Sequence, residues 1–189
     1  RLDGKTAMVT GGGQGIGRAL AIALVEAGVC GICIADYNEK TARTVAEEIK
    51  QLYHEVDAFA IKADVTKEED CHAIMLACIE RWDKLDVAVN NAGINKNAAA
   101  EDTKITDWDA TFAVNTRGLF LCCQAEAKHM LPRGYGKIIN IASMATLLVP
   151  HPQKQVAYNA SKAAVVKITQ TLACEWIDRG INVNAISPG

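Results

Sequence analysis

The sequence predicts one domain of the α/β class, built as a doubly wound parallel sheet over residues 1–189. Three observations predict this fold. Strand-like and helix-like segments alternate from end to end. Continuous apolar runs such as Val87-Ala88-Val89 are typical of parallel strands covered on both faces. A glycine-rich turn separates the first strand from the first helix, as a dinucleotide-binding sheet requires.

Six short apolar runs bounded by turn-forming or polar residues predict the strands. The predicted strands are Ala7–Thr10, Gly31–Ala35, Ala58–Lys62, Val87–Asn90, Lys137–Ile141 and Asn182–Ile186. Longer segments rich in Ala, Leu, Glu and Lys between these runs predict the helices. The predicted helices are Gly15–Ala27, Glu39–Leu52, Lys67–Trp82, Thr106–Leu131 and Gln155–Arg179. Right-handed crossovers then place the polar ends of the strands along one edge of the sheet.

The first turn has the spacing Gly11-x-x-x-Gly15-x-Gly17 instead of G-x-G-x-x-G. Glycines let the backbone turn sharply and approach a pyrophosphate, and the following helix N-terminus offers free N–H groups. The loop therefore predicts a dinucleotide site. Its expected cofactor-binding residues are Gly11, Gln14, Gly15, Ile16 and Gly17.

Asp36 ends the second strand, about 20 residues beyond the glycines, where a carboxylate binds an adenosine ribose. It would also repel a 2′-phosphate, and Gln14 adds no positive charge to the loop. Arg18 and Lys40 are the nearest cations, and a solvated helix face is the expected place for both. The sequence therefore favours NAD over NADP. Asp36 could also act as the N-cap of the next helix, and both roles are compatible.

Tyr158 and Lys162 lie four residues apart on one predicted helix face, and Ser143 ends the strand before that helix. A free tyrosine phenol titrates near pH ~10, and an ammonium group beside it stabilises the phenolate. A serine hydroxyl can hold the reacting oxygen. An isolated Tyr-x-x-x-Lys is more often an ordinary helix surface, but the glycine turn and Asp36 favour proton transfer to or from an alcohol.

Further polar residues follow the third and fourth strands. Asp64-Val65 is positioned for an adenine, although Asp64 could equally be a turn residue before Thr66, which has the pattern of an N-cap with Glu69 at N3. Asn90-Asn91-Ala92-Gly93 ends the fourth strand, where the asparagines contact the cofactor or satisfy backbone groups. Asn115 lies inside a predicted helix, which a local kink or a bound water would explain.

These motifs together resemble the short-chain dehydrogenase/reductase family. The matching residues are Thr10-Gly11, Gly15-Ile16-Gly17, Asp64-Val65, Asn90-Asn91-Ala92-Gly93, Asn115, Ser143, Tyr158, Lys162 and Ser187-Pro188-Gly189. They occur in the family's order and cover nearly the whole chain. The resemblance implies a Rossmann fold, NAD(P)-dependent oxidation of alcohols or reduction of ketones, and cofactor contacts through Asn91, Ala92 and Gly93 and through Pro188 and Gly189.

In the roles that the resemblance implies, Tyr158 is the acid/base, Lys162 binds the nicotinamide ribose, Ser143 orients the substrate, and Asn115 links Lys162 to solvent through water. Asn95 and the segment from Ser143 to Gln153 are most similar to those of sugar-alcohol and ketose dehydrogenases. The loop between Ser143 and Tyr158 is slightly longer than in many members. Members usually continue beyond the position of Gly189 with substrate-binding helices and a last strand, so we expect a C-terminally incomplete domain.

Composition excludes several other classes of function. Net charge is −2, so neither nucleic acid nor an anionic membrane surface is an expected partner. No apolar run approaches the ~20 residues that span a bilayer, and no signal pattern precedes the first strand, so we expect a cytoplasmic protein. Seven cysteines are expected to be reduced, with Cys30 and Cys33 in the core. The four histidines lack metal-ligand spacing, so no metal is expected.

The sequence thus predicts an NAD-dependent dehydrogenase of small polyols or ketoses. Two alternatives are a non-catalytic dinucleotide sensor and a nucleotide-sugar epimerase or dehydratase with tightly held NAD. The helices 106–131 and 155–179 carry apolar residues on more than one face, which predicts a homo-dimer or homo-tetramer. Those residues are Phe120, Leu121, Val165, Val166, Ile168, Leu172 and Trp176.

Overall fold

A computed structural model describes all residues from 1 to 189 and contains one six-stranded parallel sheet. The strands are β1 Thr6–Thr10, β2 Gly31–Asp36, β3 Asp57–Lys62, β4 Val87–Asn90, β5 Gly136–Ile141 and β6 Ile181–Ile186. The helices are α1 Gly15–Glu26, α2 Glu39–Leu52, α3 Glu68–Trp82, α4 Ile105–Phe112, α5 Leu119–Arg133 and α6 Val156–Trp176. The strand order is β3-β2-β1-β4-β5-β6, which confirms the predicted doubly wound α/β fold.

The sheet is buried on both faces, as its apolar strands predict. Along β1, Ala7 and Val9 face a cluster with α1 and α2, whereas Met8 faces a cluster with α3, α5 and α6. Because strand side chains alternate between faces, an uninterrupted apolar strand supplies both layers of core. Strand order reverses between β1 and β4, and that reversal opens a crevice at the carboxyl ends of these two strands.

The predicted helix over 106–131 is wrong as a single element. It is divided into α4 and α5 by a π-helical segment, Ala113–Gly118, with Asn115 buried inside it. The Asn115 side chain is hydrogen-bonded to the backbone of Ile94 instead of facing solvent. A widened turn accommodates these contacts, so the departure from regular helix that Asn115 suggested takes the form of a π-helical turn.

Two predicted helix caps are also wrong. Asn38 caps α2, because its Oδ1 accepts from the N–H groups of Lys40 and Thr41, so Asp36 is not the N-cap. Helix α3 begins after Lys67, which makes no side-chain capping bond, so Thr66 is not its N-cap. The observed caps lie two residues after Asp36 and one residue after Thr66.

Most of the apolar residues that suggested subunit pairing belong to the core of this chain. Val165, Leu172 and Trp176 are buried, and Leu121, Val166 and Ile168 pack against the same cluster. Only Phe120 among the seven is substantially exposed, at 41%. The helices therefore bury two apolar faces inside one chain, because α5 and α6 contact each other as well as the sheet.

The cysteines are all free. Cys33, Cys71, Cys78, Cys122 and Cys123 are buried. Cys30 is exposed, so its predicted core position is wrong: it precedes β2 and donates its thiol to the Lys5 carbonyl oxygen. No helix of the structure has the length and apolar character to cross a membrane. Strand β6 pairs with β5 alone and forms one edge of the sheet.

Candidate active site

The carboxyl ends of the strands surround one cleft of ≈ 890 Å³. Its walls include residues from every predicted motif. The predicted site residues in the lining are Gly11, Gln14, Ile16, Gly17, Asp36, Asp64, Val65, Asn91, Ala92, Gly93, Ser143, Tyr158, Lys162, Pro188 and Gly189. Gly15 and Asn115 do not line it. The topology thus brings together segments from opposite ends of the chain, because parallel strands all end at the same edge of the sheet.

The glycine turn leaves an open cradle at the start of α1. Gly17 packs so closely on the turn that an added Cβ would lie 2.0 Å from the Gly11 carbonyl oxygen. The Asn91 side chain ties the turn to the end of β4, since its Nδ2 donates to the carbonyl oxygens of Thr10 and Gly11, at 3.1 and 3.0 Å. The first turn of α1 has no acidic residue and no side-chain cap, so its free N–H groups suit an anionic phosphate.

Asp36 is held in a fixed orientation at the end of β2. Its Oδ2 accepts from the Gly13 N–H and its Oδ1 accepts from the Asn38 N–H, both at 2.9 Å. The nearby cation Arg18 is occupied in an ion pair with Glu48 on α2. A carboxylate therefore faces the cleft without a basic neighbour that would bind a phosphate.

Asp64 acts as a turn residue, as one of the two alternatives predicted. Its Oδ1 accepts from both the N–H and the hydroxyl of Thr66, and its own N–H donates to Asp70 at 2.8 Å. These bonds fix the direction in which the chain leaves β3. Val65 therefore faces the cleft beside Asp64 and offers an apolar surface there.

Ser143 lies two residues beyond β5, at the inner end of the cleft. Its Oγ accepts a hydrogen bond of 3.2 Å from the Ala145 N–H, in a short 3₁₀ turn over Met144–Thr146. Because the hydroxyl accepts this bond, its proton remains available for an oxygen in the cleft.

Lys162 is 4% exposed and projects from α6 beneath Tyr158. Its Nζ donates to the Ile141 carbonyl oxygen at 2.6 Å and lies 5.8 Å from the centroid of the Tyr158 ring. Burial lowers the pKa of Lys162 to about 8, because an ammonium group is poorly solvated there. At neutral pH the cleft therefore contains a buried cation beside the ring of Tyr158.

Asn115 supports the cleft from behind. Its Oδ1 accepts from the Ile94 N–H at 2.8 Å, and its Nδ2 donates to the Ile94 carbonyl oxygen and to Ser161 Oγ. A Cβ placed on Gly93 would lie 3.4 Å from Asn115 Oδ1 and 3.5 Å from Lys162 Nζ, so both groups lie against this glycine. Both amide hydrogens of Asn115 are occupied by protein, which leaves a lone pair of Oδ1 for water.

Asn90 does not line the cleft, in contrast to Asn91. It is buried beneath it, and its Nδ2 donates to Glu126 and Asn140. The two neighbouring asparagines therefore point to opposite sides of β4, as the alternation of a strand requires.

Asn95, which the sequence singled out, belongs to a row of hydrogen-bonded amides whose other members, Gln155 and Asn159, were missed from the sequence. Asn95 Nδ2 donates to Gln155 Oε1 at 2.8 Å, and Gln155 Nε2 donates to Asn159 Oδ1 at 2.9 Å. Asn95 and Gln155 both line the cleft. Gln155 lies three residues before Tyr158, about one helical turn away, and this spacing was the signal that could have identified it.

Comparison with known proteins gives a consistent result. The profile of the family described as short chain dehydrogenase matches residues 5–189. A D-threitol dehydrogenase of Mycolicibacterium smegmatis is 40% identical over 188 residues, which are 100% of this chain and 70% of the relative. A sorbitol dehydrogenase of Cereibacter sphaeroides is 41% identical over 194 residues, with 100% of this chain and 71% of the relative covered.

Relatives with other substrates are nearly as similar. A 3-oxoacyl-[acyl-carrier-protein] reductase of Synechocystis is 36% identical over 188 residues, with 100% of this chain and 74% of the relative covered. Among solved structures, an NAD⁺-bound xylitol dehydrogenase aligns with a TM-score of 0.94 and 33% identity, over 100% of this chain and 72% of that one.

Proposed function

This chain belongs to the short chain dehydrogenase family, and from that membership we propose that it interconverts small polyols and their ketoses with NAD. Its class is that of an oxidoreductase acting on alcohols and ketones with a nicotinamide dinucleotide. The observation that carries the finer proposal is the single cleft that contains the glycine cradle, Asp36 and the group of Ser143, Tyr158 and Lys162.

The cradle fits a dinucleotide. The close packing of Gly17 on Gly11 leaves backbone without side chains where a pyrophosphate needs to approach, and the free N–H groups of α1 face the same space. Gly11, Gln14, Gly15, Ile16 and Gly17 would hold the pyrophosphate. The remaining proposed cofactor contacts are Asp36 at the ribose, Asp64 and Val65 at the adenine, and Asn91, Ala92, Gly93, Tyr158, Lys162, Pro188 and Gly189 around the nicotinamide half.

A nicotinamide bound in the cleft would supply or accept the hydride, and the residues of the protein would move the accompanying proton. In alcohol oxidation Tyr158 accepts the hydroxyl proton, and in ketone reduction it donates a proton to the carbonyl oxygen. Ser143 donates its free hydroxyl hydrogen to the same oxygen, because its Oγ already accepts from Ala145. This bond fixes the oxygen near Tyr158 and stabilises the negative charge that develops on it.

Lys162 has two proposed roles. Its ammonium group stabilises the Tyr158 phenolate and binds the hydroxyls of the nicotinamide ribose. Its contact with the Ile141 carbonyl oxygen uses one of three N–H groups, so two remain for these partners. Asn115 fixes the backbone at Ile94 and offers Oδ1 to a water on the proton path from Lys162.

NAD is preferred over NADP because Asp36 is fixed and negatively charged. Its two hydrogen bonds to backbone N–H groups keep the carboxylate at the cleft, where a 2′-phosphate would be repelled. Arg18 cannot compensate while it is paired with Glu48. The NAD⁺-bound xylitol dehydrogenase among the similar structures supports this preference.

Replacing Asp36 with Ser tests the cofactor preference. We expect calorimetry to show that the unmodified protein binds NADH more tightly than NADPH. In Asp36→Ser this gap, the ratio of the two dissociation constants, should be smaller. The exposed carboxylate of Glu55 provides a control, because Glu55→Ser lies outside the cleft and should leave the gap unchanged. Tighter binding of NADPH to the unmodified protein would show that the ribose argument is wrong.

The amide row favours substrates with several hydroxyl groups. Asn95 and Gln155 present amide hydrogens and oxygens to the cleft beside Tyr158, and each amide can both donate to and accept from a hydroxyl. The threitol and sorbitol dehydrogenases among the relatives support the same substrate class.

Steady-state turnover with a panel of polyols, ketoses and a 3-oxoacyl thioester tests the substrate class. We expect the highest kcat/KM for a polyol or its ketose. We also expect Asn95→Leu to raise KM for these substrates, because a leucine cannot bond a hydroxyl. Activity confined to the thioester would contradict the proposal, and the 3-oxoacyl reductases among the relatives make that substrate a meaningful comparison.

A further inference from the structure

A polar cluster is buried directly beneath the active site, away from the proposed catalytic groups. Glu126 on α5 is fully buried, and Asn90 Nδ2 donates to its Oε2 at 3.2 Å. The same Nδ2 donates to Asn140 Oδ1 on β5 at 3.1 Å, and Asn140 Nδ2 donates to Thr169 on α6 at 3.0 Å. The cluster therefore links four elements that meet under the cleft.

Two atoms of this cluster lack a hydrogen-bond partner, and they are the only such buried side-chain atoms in the structure. They are Asn90 Oδ1 and Glu126 Oε1. The two side chains are already joined, because Asn90 Nδ2 donates to the other carboxyl oxygen, Glu126 Oε2. Both unpaired atoms are acceptors when Glu126 is ionised, so a single hydrogen on Oε1 would satisfy both at once.

We propose that Glu126 is a neutral carboxylic acid whose O–H donates to Asn90 Oδ1, closing a cyclic acid–amide pair that positions the ends of β4 and β5 beneath the catalytic site. In this pair the amide donates to one carboxyl oxygen while the other carboxyl oxygen donates to the amide. Every polar atom of the two side chains then has a partner, which a buried polar pair requires for stability.

The charges around Glu126 agree with a neutral acid. Helix α5 contributes only the thiols of Cys122 and Cys123, and Cys71 on α3 contacts Cys122. Strands β4 and β5 and helix α6 contribute the uncharged Asn90, Asn140 and Thr169. No ion pair includes Glu126. An ionised carboxylate without a cation is strongly disfavoured in such a site, and burial accordingly raises the pKa of Glu126 to about 8.

The pair is placed to act on the catalytic groups through the backbone. Asn90 and Asn140 are opposite each other in the parallel register of β4 and β5. The residue after Asn90 is Asn91, which holds the glycine turn, and the residue after Asn140 is Ile141, whose carbonyl oxygen accepts from Lys162. Glu126 is thus a positioning residue, since it touches neither cleft nor cofactor cradle.

The variant Glu126→Gln separates a neutral pair from an ionised one. A glutamine can donate to Asn90 Oδ1 and accept from Asn90 Nδ2, but it cannot ionise. Between about pH 4.5 and about pH 8, Glu126 keeps its proton in the folded wild type and loses it when urea unfolds the chain. The ratio of the unfolding equilibrium constants, wild type over variant, should therefore rise by roughly tenfold per pH unit from about pH 4.5 to about pH 8.

A ratio that is constant across this pH range would overturn the proposal. The exposed Glu175 on α6 supplies the control, because Glu175→Gln should leave the ratio constant. Infrared spectroscopy of the folded wild type gives an answer that does not depend on the stability of a variant. We expect the carbonyl band of a protonated carboxyl near neutral pH, lost at alkaline pH, and absence of that band near neutral pH would also overturn the proposal.

The positioning role has its own readout, which is independent of the substrate. Above about pH 9, calorimetry should show weaker dinucleotide binding to the wild type than to Glu126→Gln, by roughly 2- to 30-fold, the range of indirect coupling between linked sites. Lys162 titrates in both proteins, so their ratio isolates Glu126. If the wild type and Glu126→Gln bind the dinucleotide equally tightly at pH 9 as well as at pH 7, the pair does not position the site.

Discussion

Lys162 is the charged group of the cleft that burial destabilises most directly. It is 4% exposed, it has no acidic partner, and its ammonium group bonds the Ile141 carbonyl oxygen. Burying this cation lowers the stability of the fold, and the packing of the remaining core has to offset that loss. The same lack of solvation makes its N–H groups strong donors to a ribose or a phenolate.

Replacing Lys162 with Met tests this cost. The pKa of Lys162 is about 8 in the folded protein and 10.5 in the unfolded chain. Burying the charged lysine therefore lowers the unfolding free energy, and this cost is complete below about pH 8. We expect the variant to gain up to about 3 kcal/mol in unfolding free energy at pH 7, less the lost hydrogen bond. The gain should shrink by roughly 1.4 kcal/mol per pH unit from about pH 8 to about pH 10.5. Chemical denaturation at several pH values measures it.

A gain that does not change with pH would contradict a buried ammonium group. Lys167 supplies a matched control five residues along the same helix, because it is exposed and Lys167→Met should show no such pH dependence. The Lys162 variant should also lose turnover and bind NAD more weakly, so that stability and activity change in opposite directions.

Tyr158 carries the proton in the proposed mechanism. Tyr158→Phe keeps the ring but removes the hydroxyl, so folding and NAD binding should survive. Turnover should fall by at least about 10²-fold, the minimum expected for losing a general acid–base. Stopped-flow and steady-state rates measure the loss. The control is Tyr53→Phe, which removes a half-buried tyrosine hydroxyl that donates to Glu26 outside the cleft. Near-normal turnover with unchanged NAD binding would assign the proton to another group.

At the scale of secondary-structure elements, the turn between β1 and α1 determines how closely a cofactor can approach the backbone. The turn between β1 and α1 depends on Gly17, where a Cβ would collide with the Gly11 carbonyl oxygen. Gly17→Ala should therefore distort the turn and weaken dinucleotide binding by at least about tenfold, which is about 1.4 kcal/mol. Gly134→Ala is the control: it has a positive φ of 64° but nothing within 4 Å of the added Cβ. Fluorescence titration with NADH compares the two.

Equal binding by both variants would show that the close approach at Gly17 is not needed. Strain at a positive φ alone costs stability, and Gly134→Ala should show that cost in thermal unfolding without a change in binding.

Local patterns in the sequence were sufficient for most elements. The glycine turn, the apolar strands and the spacing of Tyr158 and Lys162 are short-range features, so their predicted positions agree with the structure. The division of the helix at Asn115 could be anticipated as a kink, but its partner Ile94 lies 21 residues away. Likewise, only the folded sheet brings Asn95 to Gln155, 60 residues apart in the chain. Contacts of this kind depend on topology instead of periodicity.

At the scale of the whole molecule, we propose a homo-dimer or homo-tetramer through α5 and α6. Six of the seven apolar residues predicted to pair subunits are buried or packed against the core, and Phe120 is the one left exposed. Phe120→Ser should therefore shift sedimentation toward the monomer at micromolar concentration. Leu52→Ser, which removes an even more exposed apolar residue from α2, is the control and should not. A strictly monomeric unmodified protein would contradict this proposal.

The whole fold followed from the sequence because alternation and strand polarity admit few topologies. The functions of buried polar residues did not, since Glu126 in an amphipathic helix gives no sign of whether it faces solvent or Asn90. The apolar residues of α5 and α6 show the same limit, because the composition of a helix does not distinguish a second face buried within the chain from a face exposed at its surface.

Strand β6 has a consequence for handling the protein. It is the outermost strand on its side of the sheet, and its six residues, Ile181–Ile186, include no charge and no proline. Its outer row of backbone N–H and C=O groups is not paired with another strand, and Asn184, Ala185 and Ile186 are exposed. Such an edge is a template for a strand from another molecule. Any strand that meets this edge in solution, from a second molecule or from elsewhere in the same protein, can therefore extend the sheet at β6.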